Sequence, residues 1–215
     1  GLDSARELLK ALKTGKIDES DIDARVDELI EITLSTKNKK KIKDKEKLLK
    51  DNNKLAREAA VKSIVLLKNE EKILPLDRTK KIAIIGDFAF TPRYQGAGSS
   101  MVNATIVDNV QRLIGNDLNI IGMAHGYTRF DKEDEMQVKE AIELAKQADI
   151  VLYFFGLSEA SESEGLDRTH LRIPSNQISL MEKLAAVNEN IVGIISAGSC
   201  IEMPWENNLK AILHG

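Results

Sequence analysis

Between Leu157 and Pro174 the sequence reads LSEASESEGLDRTHLRIP, which gathers Glu159, Glu162, Glu164, Asp167, Arg168 and His170 in one short segment. Carboxylates this close repel one another, and burial of one of them raises its pKa. That is how a glutamic acid keeps a proton near neutral pH. An arginine beside it orients or tunes it, so the segment is equipped for general acid–base work. The plainer alternative is a solvated acidic loop. A second segment, DFAFTPRYQGAGSS (Asp87–Ser100), combines Gly96 and Gly98 with Arg93, Tyr94, Gln95 and Ser99. Glycines let a backbone approach a polar ligand closely, and Arg93 and Gln95 are candidate donors to it. A dinucleotide fingerprint requires G-x-G-x-x-G in a tight turn directly after a strand. Here the glycines come ten residues after Gly86 and position 101 is Met, so that reading is disfavoured against a ligand wall or a surface loop.

Other chemistry is sparse. His125, His170 and His214 are far apart, and Cys200 is the only cysteine. Neither a cysteine zinc site nor an internal disulfide can be built from these, and no metal or cofactor is expected. Trp205, in PWENN, could stack on a sugar ring but fits better as a packing residue at a strand-end turn. Glu202 follows a strand end and could hydrogen-bond ligand or backbone.

The elements that must hold these loops alternate in type. Continuous apolar runs at Lys81–Gly86 (KIAIIG), Asn119–Met123, Ile150–Gly156 (IVLYFFG), Ile191–Ser196 and Ala211–His214 predict strands, with a further β-prone run at Ile64–Leu67. Helices are predicted near Ile106–Ile114, Glu133–Ala148 and Asn176–Val187. Buried strands alternating with amphipathic helices mean an α/β fold, a three-layer αβα sandwich on a mostly parallel sheet. In such sheets the functional loops lie at the carboxyl ends of strands. Those are the loops after Gly86, Gly156 and Ser196.

Upstream, residues 3–14 predict a helix with Leu8, Leu9 and Leu12 on one face and Gly15 as its stop. Ser20 is expected to cap a second helix reaching about Leu34, with Ile22, Val26, Leu29 and Ile30 as its stripe. Two such helices cannot bury both apolar faces alone, so 1–35 reads as the tail of a preceding domain. Residues 36–47, dense in charge, read as a linker. A helix from Leu48 to about Ser63, with Leu55, Ala59 and Ala60 inward, would open the α/β domain, 48–215.

The chain is 42% hydrophobic and 30% charged with a net charge of -3. That is enough apolar material for a core and too little positive charge for a nucleic-acid footprint. No apolar run is long enough to span a membrane, and Gly1–Lys10 has no signal-peptide character. A cytoplasmic location is the expectation, and a homo-oligomer is left open.

AREAAVKSIVLLKNEEKILPL (56–76), IAIIGDFAFTPRYQGAGSS (82–100), SESEGLDRTHLRIP (161–174) and the PWENNLKAILHG ending together resemble glycoside hydrolase family 3. They match its second, α/β-sandwich domain, and 1–34 is similar to the closing helices of its (β/α)8 barrel. The resemblance implies a retaining β-glucosidase acting on non-reducing terminal β-linked glucose, with a β-xylosidase as the next reading. A non-catalytic sugar- or nucleotide-binding module is the rival from another class. In the family, an aspartate on the barrel attacks the anomeric carbon, and a glutamate on the second domain protonates the leaving oxygen and then activates water. The resemblance assigns that glutamate to Glu164, with Glu162 as runner-up. It makes Asp167 and Arg168 supports of the loop and Arg93, Tyr94, Gln95, Gly96, Gly98 and Ser99 a wall of the substrate pocket. The implied partner is a barrel domain outside this chain. Without its nucleophile the chain alone should be inactive, and its α/β domain should continue past Gly215.

Overall fold

The computed structural model describes residues 2–37, 42–115 and 117–215, and the chain divides into two compact units, Gly1–Asn52 and Asn53–Gly215. The first unit contains α1 (Leu2–Lys13), α2 (Glu19–Ser35) and the start of α3 (Lys45–Ser63). α2 begins earlier than the expected Ser20 cap. Asp18 stands at its N-cap and donates its backbone N–H to the Asp21 carboxylate at 3.1 Å. This reciprocal pairing of positions three apart outcompetes a serine cap and leaves Ser20 inside the first turn. Leu8, Leu9, Val26, Leu29 and Ile30 of the expected stripes are exposed, and Leu12 and Ile22 are half-buried. The centre of the charged stretch, 38–41, lies outside the described residues.

α3 starts at Lys45, before the expected Leu48, with Asp44 accepting the Lys47 N–H at 2.9 Å. The expected inward face of this helix is corrected: Leu55, Ala59 and Ala60 are exposed, and no residue of α3 is buried. Periodicity shows that a helix has an apolar face but not that anything covers it.

The second unit is built on one six-stranded sheet. Its strands are β1 (Val65–Asn69), β2 (Ile82–Ile85), β3 (Ile120–Ala124), β4 (Ile150–Gly156), β5 (Ile191–Ser196) and β6 (Ala211–His214), ordered β1-β6-β5-β4-β2-β3. All neighbours are parallel except β1, which pairs antiparallel with β6. Strand side chains alternate between the two faces. Ile85, Tyr153, Phe155 and Ile195 face one core with α6 (Glu135–Gln147) and α7 (Ser175–Ala185). Ile82, Ile84, Leu152 and Val192 face the other, covered by Ile73–Leu76 and two short helices, α4 (Asp87–Phe90) and α5 (Val110–Leu113). The αβα sandwich is as expected, but its second layer is thinner. The helix expected over Ile106–Ile114 shrinks to Val110–Leu113, because Asn109 caps it by accepting the Arg112 N–H at 2.8 Å. The β-branched run Thr105-Ile106-Val107 before it disfavours helix. α4, conversely, occupies the start of what the sequence presents as a loop.

From β2 the chain goes to β3 on one side, then returns to β4 on the other. The carboxyl ends of β2 and β4 therefore flank the topological switch point, the usual place for a ligand in an open α/β sheet.

Candidate active site

The loops after β2 and β4 are fastened to each other at that switch point. Ala97 and Ser163 form an isolated parallel bridge. The Glu164 N–H donates to the Ala97 carbonyl at 3.0 Å, and the Ser99 N–H donates to Glu164 Oε2 at 2.6 Å. Gly98 makes this approach possible. Its φ is +102°, and a Cβ there would lie 2.6 Å from the Glu164 Cβ, closer than non-bonded carbon atoms of a folded protein come.

Glu162 and Glu164 have opposite surroundings. The Glu162 side chain is only 10% exposed and forms an ion pair with Arg93, itself 11% exposed. It also accepts the Gly198 N–H at 2.9 Å and the Ser199 hydroxyl. Glu162 therefore ties the β4 loop to the loop after β5 and to Arg93. Glu164 is exposed on the rim of an open cleft of ≈ 930 Å³ that is also lined by Ser99, Glu162, Asp167, Arg168, His170 and Ser199. One of its oxygens is held by Ser99, and the other has no hydrogen-bond partner among the described residues.

Neither carboxyl is raised, contrary to the expectation from clustered acids. Burial pushes Glu162 up, but the Ser199 hydroxyl, the Gly198 N–H and the Arg93 and Arg168 guanidinium groups outweigh it and hold the carboxyl below its ordinary range. The Ser99 hydroxyl and backbone N–H lower Glu164 as well. Each glutamate finds its own donors, and these outweigh any mutual repulsion.

The remaining expected residues fall in distinct places. Arg168 Nη2 donates to the Ser199 hydroxyl and the Cys200 carbonyl, both at 2.8 Å, so it buttresses the β5 loop. Asp167 is exposed in the cleft. Of the Arg93–Ser99 wall, Ser99 reaches the cleft beside Glu164. Arg93 pairs with Glu162 through Nη2, and its buried Nε has no hydrogen-bond partner among the described residues. Gly96 lies against the Glu162 carbonyl, where a Cβ would sit 3.0 Å away. Gln95 folds back on its own loop, accepting the Val102 N–H at 3.0 Å and lying 3.3 Å from the hydroxyl of the exposed Tyr94. Trp205 is buried edge-on against Phe155, with ring centroids 5.1 Å apart, and is a packing residue. The Glu202 backbone N–H donates to the Leu171 carbonyl at 2.9 Å. His214 Nε2 lies 2.9 Å from the Ala197 carbonyl.

A model of the glycosyl hydrolase family 3 C-terminal domain matches residues 64–215. The chain belongs to glycoside hydrolase family 3. It is 38% identical over 214 residues to thermostable beta-glucosidase B of Acetivibrio thermocellus, covering 97% of this chain and 28% of that protein. It is also 38% identical, over 218 residues, to an exo-alpha-(1->6)-L-arabinopyranosidase of Bifidobacterium breve, covering 96% and 29%. The crystal structure of the GH3 beta-glucosidase of Bifidobacterium adolescentis superposes with a TM-score of 0.86 at 38% identity, over 98% of this chain and 31% of that one. The chain thus spans less than a third of the length of these relatives.

This family 3 domain also carries polar residues that sequence reasoning did not single out. Gly198 and Ser199 hold Glu162, and their signal was present, since the loop after Ser196 lies at a strand's carboxyl end. Arg129, which pairs with Asp87 and Glu159, had no such signal beyond position after β3.

Proposed function

We propose that this chain supplies the acid/base carboxylate of a retaining exo-acting β-glucosidase, and that the carboxylate is Glu164. The contrast between the two glutamates carries the reading. Both line the cleft, but both oxygens of Glu162 are taken by Arg93, Gly198 and Ser199, whereas Glu164 keeps an oxygen free to face a ligand. In the first step an aspartate of the barrel domain attacks the anomeric carbon while Glu164 gives its proton to the leaving oxygen. In the second step Glu164 takes a proton from the attacking water. The two carboxyl groups of such an enzyme stand ~5–5.5 Å apart, so the barrel is the partner that completes the site. A lowered Glu164 in the open half-site is compatible with this, because a second carboxylate at that distance raises its neighbour.

The sugar is proposed to be glucose. A relative of equal identity is an arabinopyranosidase. An α-L-arabinopyranoside presents the same equatorial glycosidic oxygen as a β-D-glucoside and differs at C4 and C5. The contacts that separate these sugars, and xylose, are assigned to the barrel. Rates on the corresponding nitrophenyl glycosides rank them.

The test of the residue is Glu164→Gln in the intact enzyme. An alkyl glucoside needs protonation of its leaving oxygen and should slow by about 10²–10⁴-fold. A dinitrophenyl glucoside does not need it and should be glycosylated far better, with deglycosylation limiting. Azide, which needs no base, should then speed turnover and yield β-glucosyl azide. Glu162→Gln, which keeps the acid/base group and only loosens its loop, should change the leaving-group dependence far less and should not be rescued by azide. Azide rescue of Glu162→Gln but not of Glu164→Gln would move the role two residues.

A further inference from the structure

Outside the cleft, the densest set of charged side chains is centred on Arg129, between β3 and α6. Its Nε donates to Asp87 Oδ2 at 2.8 Å, its Nη1 to Glu159 Oε1 at 3.0 Å, and its Nη2 to the Thr91 carbonyl. Its guanidinium carbon lies 4.7 Å from the centroid of the Phe88 ring. The Arg129 and Asp87 side chains are each only 18% exposed. All three nitrogens of one planar group are therefore used, and they join segments from the ends of three strands: Asp87 and Thr91 after β2, Arg129 after β3, Glu159 after β4. A lysine could not do this, since its single ammonium lacks the fork.

Glu159 immediately precedes the 3₁₀ turn Ala160–Glu162, and that turn leads to Glu164. The segment is then held at its root by Arg129, in its middle by the contacts of Glu162 with Arg93, Gly198 and Ser199, and at its tip by Ser99. Asp87, Arg129 and Glu159 are absent from the cleft lining that includes Glu164. They are placed to aim the loop and not to touch what binds there.

We propose that Arg129 is a positioning residue for Glu164, acting through Glu159 by clamping the root of the 159–164 segment to the end of β2. The proposal rests on the acid/base reading of Glu164. Misplacing a reacting group by about 1 Å costs about 10²-fold, and the cost falls on substrates that need the proton.

The test uses the intact enzyme. Arg129→Met should lower kcat/KM on an alkyl β-glucoside by about 10–100-fold and on a dinitrophenyl β-glucoside by several-fold less. Glu159→Gln should act in the same direction, and the double variant should be little worse than Arg129→Met, because both act through one contact. Arg129→Lys should be intermediate. If Arg129→Met does not fold, Arg129→Lys and Glu159→Gln carry the comparison. Equal losses on both substrates, or lost thermal stability with an unchanged substrate ratio, would mean a merely structural anchor and overturn the proposal. Glu164→Gln, measured alongside, separates the two claims. If it shows no leaving-group selectivity, the acid/base assignment fails. Amide hydrogen exchange over 157–164 then decides for Arg129: faster exchange in Arg129→Met sustains the clamp, and unchanged exchange refutes it.

Discussion

Replacing Gly98 by alanine tests the close fastening of the two loops. The new Cβ would lie 2.6 Å from the Glu164 Cβ and 3.0 Å from its Oε2. Carbon atoms in contact settle at about 3.5–4.0 Å, so one side must retreat by about 1 Å. The obstacle cannot rotate away, because a Cβ is fixed to its backbone. Whether the Gly98 loop or the Glu164 segment yields, the Ser99 amide and the carboxylate separate. At φ +102° the alanine also costs about 1–3 kcal/mol of backbone strain. In the intact enzyme, Gly98→Ala should lower kcat/KM on an alkyl β-glucoside by about 10²-fold, with a smaller effect on a dinitrophenyl substrate. Gly165→Ala is the control. Its φ is +78° and a Cβ there meets nothing within 4 Å, so it carries the strain without the collision. Both variants should melt earlier, and only Gly98→Ala should lose the alkyl substrate selectively. Retention of activity within about twofold by Gly98→Ala, or the same selective loss in Gly165→Ala, would refute the reasoning.

Further outcomes concern the two glutamates. Glu162→Gln should destabilise the α/β unit by about 1–3 kcal/mol in a denaturant titration, because it strands Arg93 partly buried. The folded Glu162 carboxyl lies below its ordinary value of 4.5. Its stabilising contribution is therefore complete above that value and lost as pH falls through the folded pKa. Melting temperature should drop on acidification below about 4.5 in the parent and more shallowly in Glu162→Gln; parallel curves would contradict the assignment. Glu164 in this isolated chain should titrate below the ordinary glutamate range, as read by carbon NMR of labelled glutamate against Glu164→Gln, and higher in the intact enzyme. An equally low value in the intact enzyme would contradict the completed-site reading.

Much of the sheet was legible because its strands are continuous apolar runs. KIAIIG, IVLYFFG and IVGIIS are buried on both faces, and such runs advertise themselves without alternation. The loops at their ends followed from a rule about strand polarity. What periodicity cannot carry is the order of strands. Arg129 meets Asp87 and Glu159 only because β2 lies between β3 and β4, and no spacing in the sequence announces that. The short α4 escaped for a different reason, since four residues leave no periodic signature, and α5 is only the end of the helix expected over Ile106–Ile114. The clustered acids were legible as a site, but their electrostatics were not. Glu162 closes a 3₁₀ turn while Ser163 is extended, with φ -78° and ψ 139°, so the alternation that would put Glu162 and Glu164 on one face of a strand is broken between them. One meets Arg93 and the β5 loop, the other Ser99 and solvent. Composition alone had merged them into one repelling group.

That separation bears on how a proton could be placed. On the proposed reading Glu164 must be protonated when substrate binds, yet here Ser99 favours its charged form. Among the described residues slight burial is outweighed by Ser99, and Glu162, two residues away, is paired with Arg93. On the proposed reading the opposing influence comes from the barrel domain. A nucleophilic carboxylate at ~5–5.5 Å and the exclusion of water both raise the acid's affinity for its proton. The three fastenings at Arg129, Glu162 and Ser99 then have a common purpose, since a carboxyl whose pKa depends on another domain's charge needs a fixed distance to it. Loosening any of them should degrade proton donation before it degrades the fold.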